Sequence, residues 1–156
     1  MIRLGEFLRD NADALAMEMV ADWNRIGIQE PWHRIPPNMD HDHLPDIIRR
    51  LAEASLLTFF AEEPRRALGW VAVQHGQHRF SFGVTEEIVG REYELLRWTM
   101  WQKLKAQADT STASEAIIRI DSGISFALGA SLRSALTRQA LVSGCMWKPT
   151  KRSISH

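Results

Sequence analysis

The sequence is poor in the features that would assign it quickly. Its 156 residues include one cysteine, Cys145, and one tyrosine, Tyr93, and its 19 basic and 19 acidic residues cancel to a formal net charge of zero. A lone cysteine excludes an internal disulfide framework. Balanced charge leaves no electrostatic footprint for nucleic acid or for an anionic membrane. There is no long apolar run and no signal-peptide pattern, so the chain is expected to be a reduced, cytoplasmic protein that binds neither DNA nor membrane. Ser81, Ser122 and Ser125 lack a G-x-S-x-G context, and Cys145 lies in a tail expected to be frayed, so no nucleophile with a positioned base can be named and no enzyme is expected. Alternating apolar runs bounded by turns, the mark of strands, are missing too.

What is present is helical periodicity throughout, which predicts an all-α, single-domain helical bundle of about five main helices over residues 1–144, followed by a basic flexible tail over 145–156. An opening helix is expected from Leu4 to Ile26, with apolar positions at Phe7, Leu8, Leu15, Met19, Val20 and Trp23, ending near Gly27. Pro31, Pro36 and Pro37 make 29–42 a loop. Asp42 can cap a second helix whose first turn tolerates Pro45 and whose stripe is Leu44, Ile47, Ile48, Leu51, Ser55 and Phe59, with Glu62-Glu63-Pro64 ending it. Two helices then turn at Gly83, the second capped by Thr85 with Val84 and Val89 as a hydrophobic staple. A last helix starts at Thr112 and Glu115, at capping-box spacing, and runs to about Val142.

Wound at ~100° per residue, three of these helices carry ionisable groups inside apolar stripes. His75 falls among Ala67, Leu68, Val71, Ala72 and Phe82, with Arg79 one turn on. Glu92 is centred on the arc of Ile88, Val89, Tyr93, Leu95, Leu96, Thr99 and Met100. Asp121 sits among Ile117, Ile120, Ile124, Leu128 and Leu132. Isolated buried charges cost several kcal/mol each, so the expected solution is one buried polar cluster in which His75 and Arg79 meet the carboxylates of Glu92 and Asp121. Such a cluster either fixes helix register or serves a ligand or a signal, and His78, Phe82, Tyr93 and Arg97 are placed to line an adjoining pocket. Trp98 and Trp101 lie on the opposite side of the Glu92 helix. They are covered by another helix of the chain or form a two-fold contact with a second copy. Asp40-His41-Asp42-His43 holds metal-capable groups, but two histidines ahead of a helix fit cap and surface roles, and no zinc spacing accompanies them, so no metal is expected.

The spacing of His75, Arg79, Gly83, Glu92-Tyr93 and Leu96-Arg97 resembles the signature of RsbRD-type N-terminal sensor domains, the RsbT co-antagonist family. Trp23, Asp42-His43-Leu44-Pro45 and Asp121 extend the likeness over nearly the whole chain. The resemblance implies a globin-like fold and a non-catalytic sensor or regulatory role in bacterial signal transduction, with a homodimer coupled to a histidine kinase or a stressosome-like partner. Family members carry a kinase or other output domain after this region, whereas this chain stops soon after Trp147, so no catalytic assignment comes with it. A globin-like fold also raises the alternative of a haem- or small-ligand-binding sensor, with His75 or His78 as haem ligand. The ionic groups argue for a filled site without cofactor, because a porphyrin face needs apolar contacts.

Overall fold

The computed structural model describes residues 1–26, 43–58 and 60–144. Six α-helices and one π-helical turn make an all-α bundle, with no strand among the described residues. They are α1 (Ile2–Asp10), α2 (Ala12–Ile26), α3 (Leu44–Ala52), α4 (Glu62–Ser81), α5 (Glu86–Gln107) and α6 (Thr110–Gly144), with the π-helical turn, Glu53–Leu57, continuing α3. Gly27, the proline-bearing segment 29–42 with Asp42 as a cap, Phe59 and the basic tail 145–156 lie outside the described residues. No helix among the described residues is long and apolar enough to cross a membrane.

One apolar core takes residues from every helix: Leu8 from α1, Met19 from α2, Ile47 and Leu51 from α3, Leu68 from α4, Leu96 and Met100 from α5, Ile120 and Ile124 from α6. Each fully buried aliphatic side chain of this kind stabilises the fold by about 1.5–3 kcal/mol relative to exposure. The long α6 is the spine, packing extensively on both α4 and α5, while α4 and α5 approach each other much less. The reason α6 can serve two neighbours is its small-residue face. A Cβ at Gly76 of α4 would run into the Ser131 backbone carbonyl of α6, and one at Gly123 would meet Ser55 and Leu51.

Several expected boundaries move. The opening helix is broken at Asn11, whose backbone N–H and side-chain amide both bond to the Phe7 carbonyl and end α1 after Asp10. A side chain that satisfies a carbonyl one turn back competes with the helix ladder. Glu62-Glu63-Pro64 opens α4 rather than closing the preceding helix, because carboxylates favour the positive end of the dipole and a first-turn proline gives up an N–H that has no helical partner. At α6 the cap is Asp109, not Thr112: its carboxylate accepts from the backbone N–H groups of Ser111 and Thr112 and from the Thr112 hydroxyl. The α4–α5 turn follows expectation. Gly83 takes φ 77°, Gly83 N–H bonds to Phe80 C=O and Val84 N–H to Arg79 C=O, the two bonds of a Schellman motif. Thr85 then caps α5, its hydroxyl accepting from Ile88 N–H at 3.4 Å, with Val84 and Val89 both buried beside it.

Candidate functional site

His75 and Arg79 are four residues apart on α4 and share a face; α5 brings Glu92 to meet them. Arg79 Nη2 donates to Glu92 Oε1 at 2.8 Å, and Arg79 Nε lies 3.3 Å from both carboxylate oxygens. His75 Nε2 is 2.9 Å from Glu92 Oε2. An ionised carboxylate only accepts, so Nε2 carries the hydrogen. All three side chains are sealed from solvent, His75 at 0% exposure and Arg79 and Glu92 at 1%. Burial alone would raise the Glu92 carboxyl, but the charges of His75 and Arg79 and their hydrogen bonds outweigh it and hold the group down to about 2. His75 Nδ1 is buried with no hydrogen-bond partner among the described residues.

A neutral chain of hydroxyls continues from the triad into the spine. Ser131 Oγ donates to the Ala72 carbonyl at 2.6 Å, which leaves its lone pairs to accept from the Tyr93 hydroxyl at 2.8 Å. Tyr93 is therefore a donor, and burial pushes its phenol well above the ordinary range. This chain ties α5, α6 and α4 at one level. Around it the rings stand edge to face: His75 on Tyr93 with centroids 5.9 Å apart, His43 on His75 at 6.2 Å, and His78 on Phe82 at 5.0 Å, with His43 and His78 tilted at 5.2 Å.

Asp121 is not part of this cluster. It lies at the rim between α5 and α6, its side chain 35% exposed, accepting from Arg97 Nε at 3.2 Å and from Trp101 Nε1 at 2.9 Å. The error was one of phase. The buried face of α6 is Ala116, Ile120, Gly123, Ile124, Ala127, Ala130 and Ser131; of the expected stripe Ile120 and Ile124 are fully buried, whereas Ile117, Leu128 and Leu132, on the side nearer Asp121, are only half-buried. At ~100° per residue Asp121 stands about 120° from the centre of that small-residue face. Arg97 goes with it, bonding also to Glu94 and Ser125, so it does not join His78, Phe82 and Tyr93 in one pocket. Trp101 takes part in this intramolecular contact through its indole N–H. Trp98 is 55% exposed.

Sequence reasoning passed over His43 and Ser131. His43 was grouped with its acidic neighbours as a surface residue, yet its ring reaches both α4 histidines. Ser131 was given no role, because nothing local in the sequence marks a serine on the last helix as the partner of Tyr93. Among the described residues no group of three or more His, Cys, Asp or Glu side chains is arranged to hold a metal ion. Considered as a haem ligand, His75 has its Nε2 engaged by Glu92, and the space beside it is filled by Arg79 and Tyr93. Considered as a catalytic base, it has an orienting carboxylate but no exposure to a substrate. What the triad can do is hold two helices by charge and respond to loss of that charge. Compared with family models, with curated proteins and with solved structures, the chain finds no match.

Proposed function

We propose that the chain is a non-catalytic regulatory module of bacterial signal transduction. In this reading it pairs with a second copy of itself and passes a signal to a histidine kinase or a stressosome-like protein, as the likeness to RsbRD-type sensor domains, with their globin-like arrangement, implies. One observation carries it: α4 and α5 approach each other little as backbones and are joined, toward the Gly83 end of the pair, by the buried His75–Glu92–Arg79 triad. Apolar surfaces slide and repack in small steps. A buried charge network is satisfied in one geometry and costly in intermediate ones, which gives a helix pair the discrete alternatives that a switch requires. The outer side of α5 presents Trp98 in a position to report such a change to a partner.

The test couples the two sides of α5. Light scattering of the wild type is expected to show a dimer that Trp98→Ser converts to a folded monomer by circular dichroism. Glu92→Gln, which keeps shape and removes charge, is expected to change the dimer dissociation constant at least ~10-fold while helix content is retained, since coupling of 1–3 kcal/mol is typical of linked sites. A wild type that is monomeric at 100 µM, or a folded Glu92→Gln variant with unchanged dimerisation, overturns the reading.

A further inference from the structure

A groove of about 430 Å³, within the size range of small-molecule sites, runs between α3 and α4. On its α4 side Arg66, Trp70 and Gln74 follow one another at four-residue intervals, so they share a face about one helical turn apart. Trp70 is 63% exposed. Among the described residues none of these three has a hydrogen bond, ion pair or ring contact. From α3 come Asp46 and Arg50, steadied by bonds from Arg49 at 3.0 Å and to Glu53 at 2.8 Å.

The groove is polarised along its length. α3 begins beside His75 and His78, against which the His43 ring packs, and its π-helical continuation ends shortly before α4 begins, so the two helices run in opposite directions. Asp46 therefore lies toward Gln74 and Arg50 toward Arg66, with Trp70 between the two ends. One end offers an amide and a carboxylate, the middle an indole face, and the other end two guanidiniums whose forked donors suit a phosphate.

We propose that this groove binds a purine nucleoside monophosphate, its base stacked on Trp70 with the base edge toward Gln74 and Asp46, and its phosphate on Arg66 and Arg50. An indole face stacks on any base, and a glutamine amide matches the adjacent donor and acceptor of adenine. Base edge and phosphate stand at opposite ends of a nucleotide, as the amide and the guanidiniums stand on opposite sides of Trp70. A free phosphate would leave the indole bare, and a nucleoside would leave both arginines unused. Glu63, exposed and three residues before Arg66, also lines the groove and opposes added negative charge, which favours one phosphate over three.

Neither the triad nor Trp98 lines this groove, so its test is independent of dimerisation. The full chain is titrated calorimetrically with AMP, GMP, adenosine and inorganic phosphate. At least one nucleotide is expected to bind with a Kd below about 1 mM and ~10-fold more tightly than adenosine or phosphate, each of which fills one end only. Trp70→Ala removes the stacking face and Arg66→Ala a phosphate donor, and each is expected to weaken nucleotide binding about 10-fold. Both side chains are exposed, so the variants are expected to keep the helix content and urea midpoint of the wild type. Glu63→Gln is expected to strengthen nucleotide binding and leave adenosine unchanged. Nucleotides that bind no more tightly than phosphate or adenosine alone overturn the site, as does nucleotide binding that a folded Trp70→Ala variant retains in full.

Discussion

The two polar clusters that flank α5 have nearly the same parts. On one side Glu92 receives an arginine, Arg79, and a ring N–H from His75; on the other Asp121 receives an arginine, Arg97, and a ring N–H from Trp101. They differ in exposure, with the Glu92 side chain at 2% and that of Asp121 at 35%. In the first, every group relies on its protein partners, because water is excluded. In the second, water stands in for whatever a mutation removes. The partner list is thus a poor guide to importance, and burial sets what each bond is worth.

The largest expected effect comes from stranding a charge on the dry side. Arg79→Ala leaves the Glu92 carboxylate with His75 alone and is expected to cost ~3–5 kcal/mol in urea unfolding. A value near zero would mean that α4 and α5 admit water at this level, and would remove the contrast. The next effect is pH-dependent and follows from Glu92, whose folded-state carboxyl is held to about 2, below the ordinary value of 4.5. A carboxyl depressed on folding adds stability that is fully present above the unfolded value and is lost as pH falls through the folded one. Stability is therefore expected to decline from about pH 4.5 toward 2, and Glu92→Gln to flatten that part of the profile. Urea midpoints taken at several pH values check both.

How much of this was legible depended on side-chain size. His75 and Arg79 on α4, and Glu92 on α5, were placed correctly because their helices signal the buried side with large residues: Leu68, Val71, Val89, Tyr93, Leu96 and Met100 are all buried. The Gly83 turn and the Thr85 cap were legible for a similar reason, since left-handed backbone and a first-turn hydrogen bond each demand particular residues. On α6 the same method failed. Its closest contacts use Gly123, Ala127, Ala130 and Ser131, and a hydropathy pattern gives such residues little weight although they permit the nearest approach. The stripe joined the buried Ile120 and Ile124 to the half-buried Ile117, Leu128 and Leu132, which turned its centre toward Asp121 and carried that residue inward. Association of His43 with the α4 histidines had no local signal at all, because it depends on how α3 is docked. The break at Asn11 was a smaller miss of the same kind, a single side chain overriding a continuous apolar period.

The smallest expected effect is the sharpest test of the separation between the two clusters. Asp121→Ala removes an acceptor from Arg97 and Trp101, but Arg97 keeps Glu94 and Ser125, and solvent reaches the rim. The cost is expected to be about 1 kcal/mol or less, as for other partly exposed ion pairs. The more telling number is its coupling to Arg79. Were Asp121 a member of the buried cluster, the Arg79→Ala and Asp121→Ala losses would overlap, and the double variant would lose clearly less than their sum. With Asp121 bonded to Arg97 and Trp101 and Arg79 to Glu92, the two share no partner in these contacts among the described residues, so the losses are expected to add within ~0.5 kcal/mol. Arg79→Ala with Glu92→Gln supplies the contrast in the same cycle: those two are in direct contact and are expected to be strongly non-additive. Coupling above about 1 kcal/mol between Arg79 and Asp121 would mean that α5 transmits between its two sides even at rest, and the distinction between a dry pivot and a wet rim would fail.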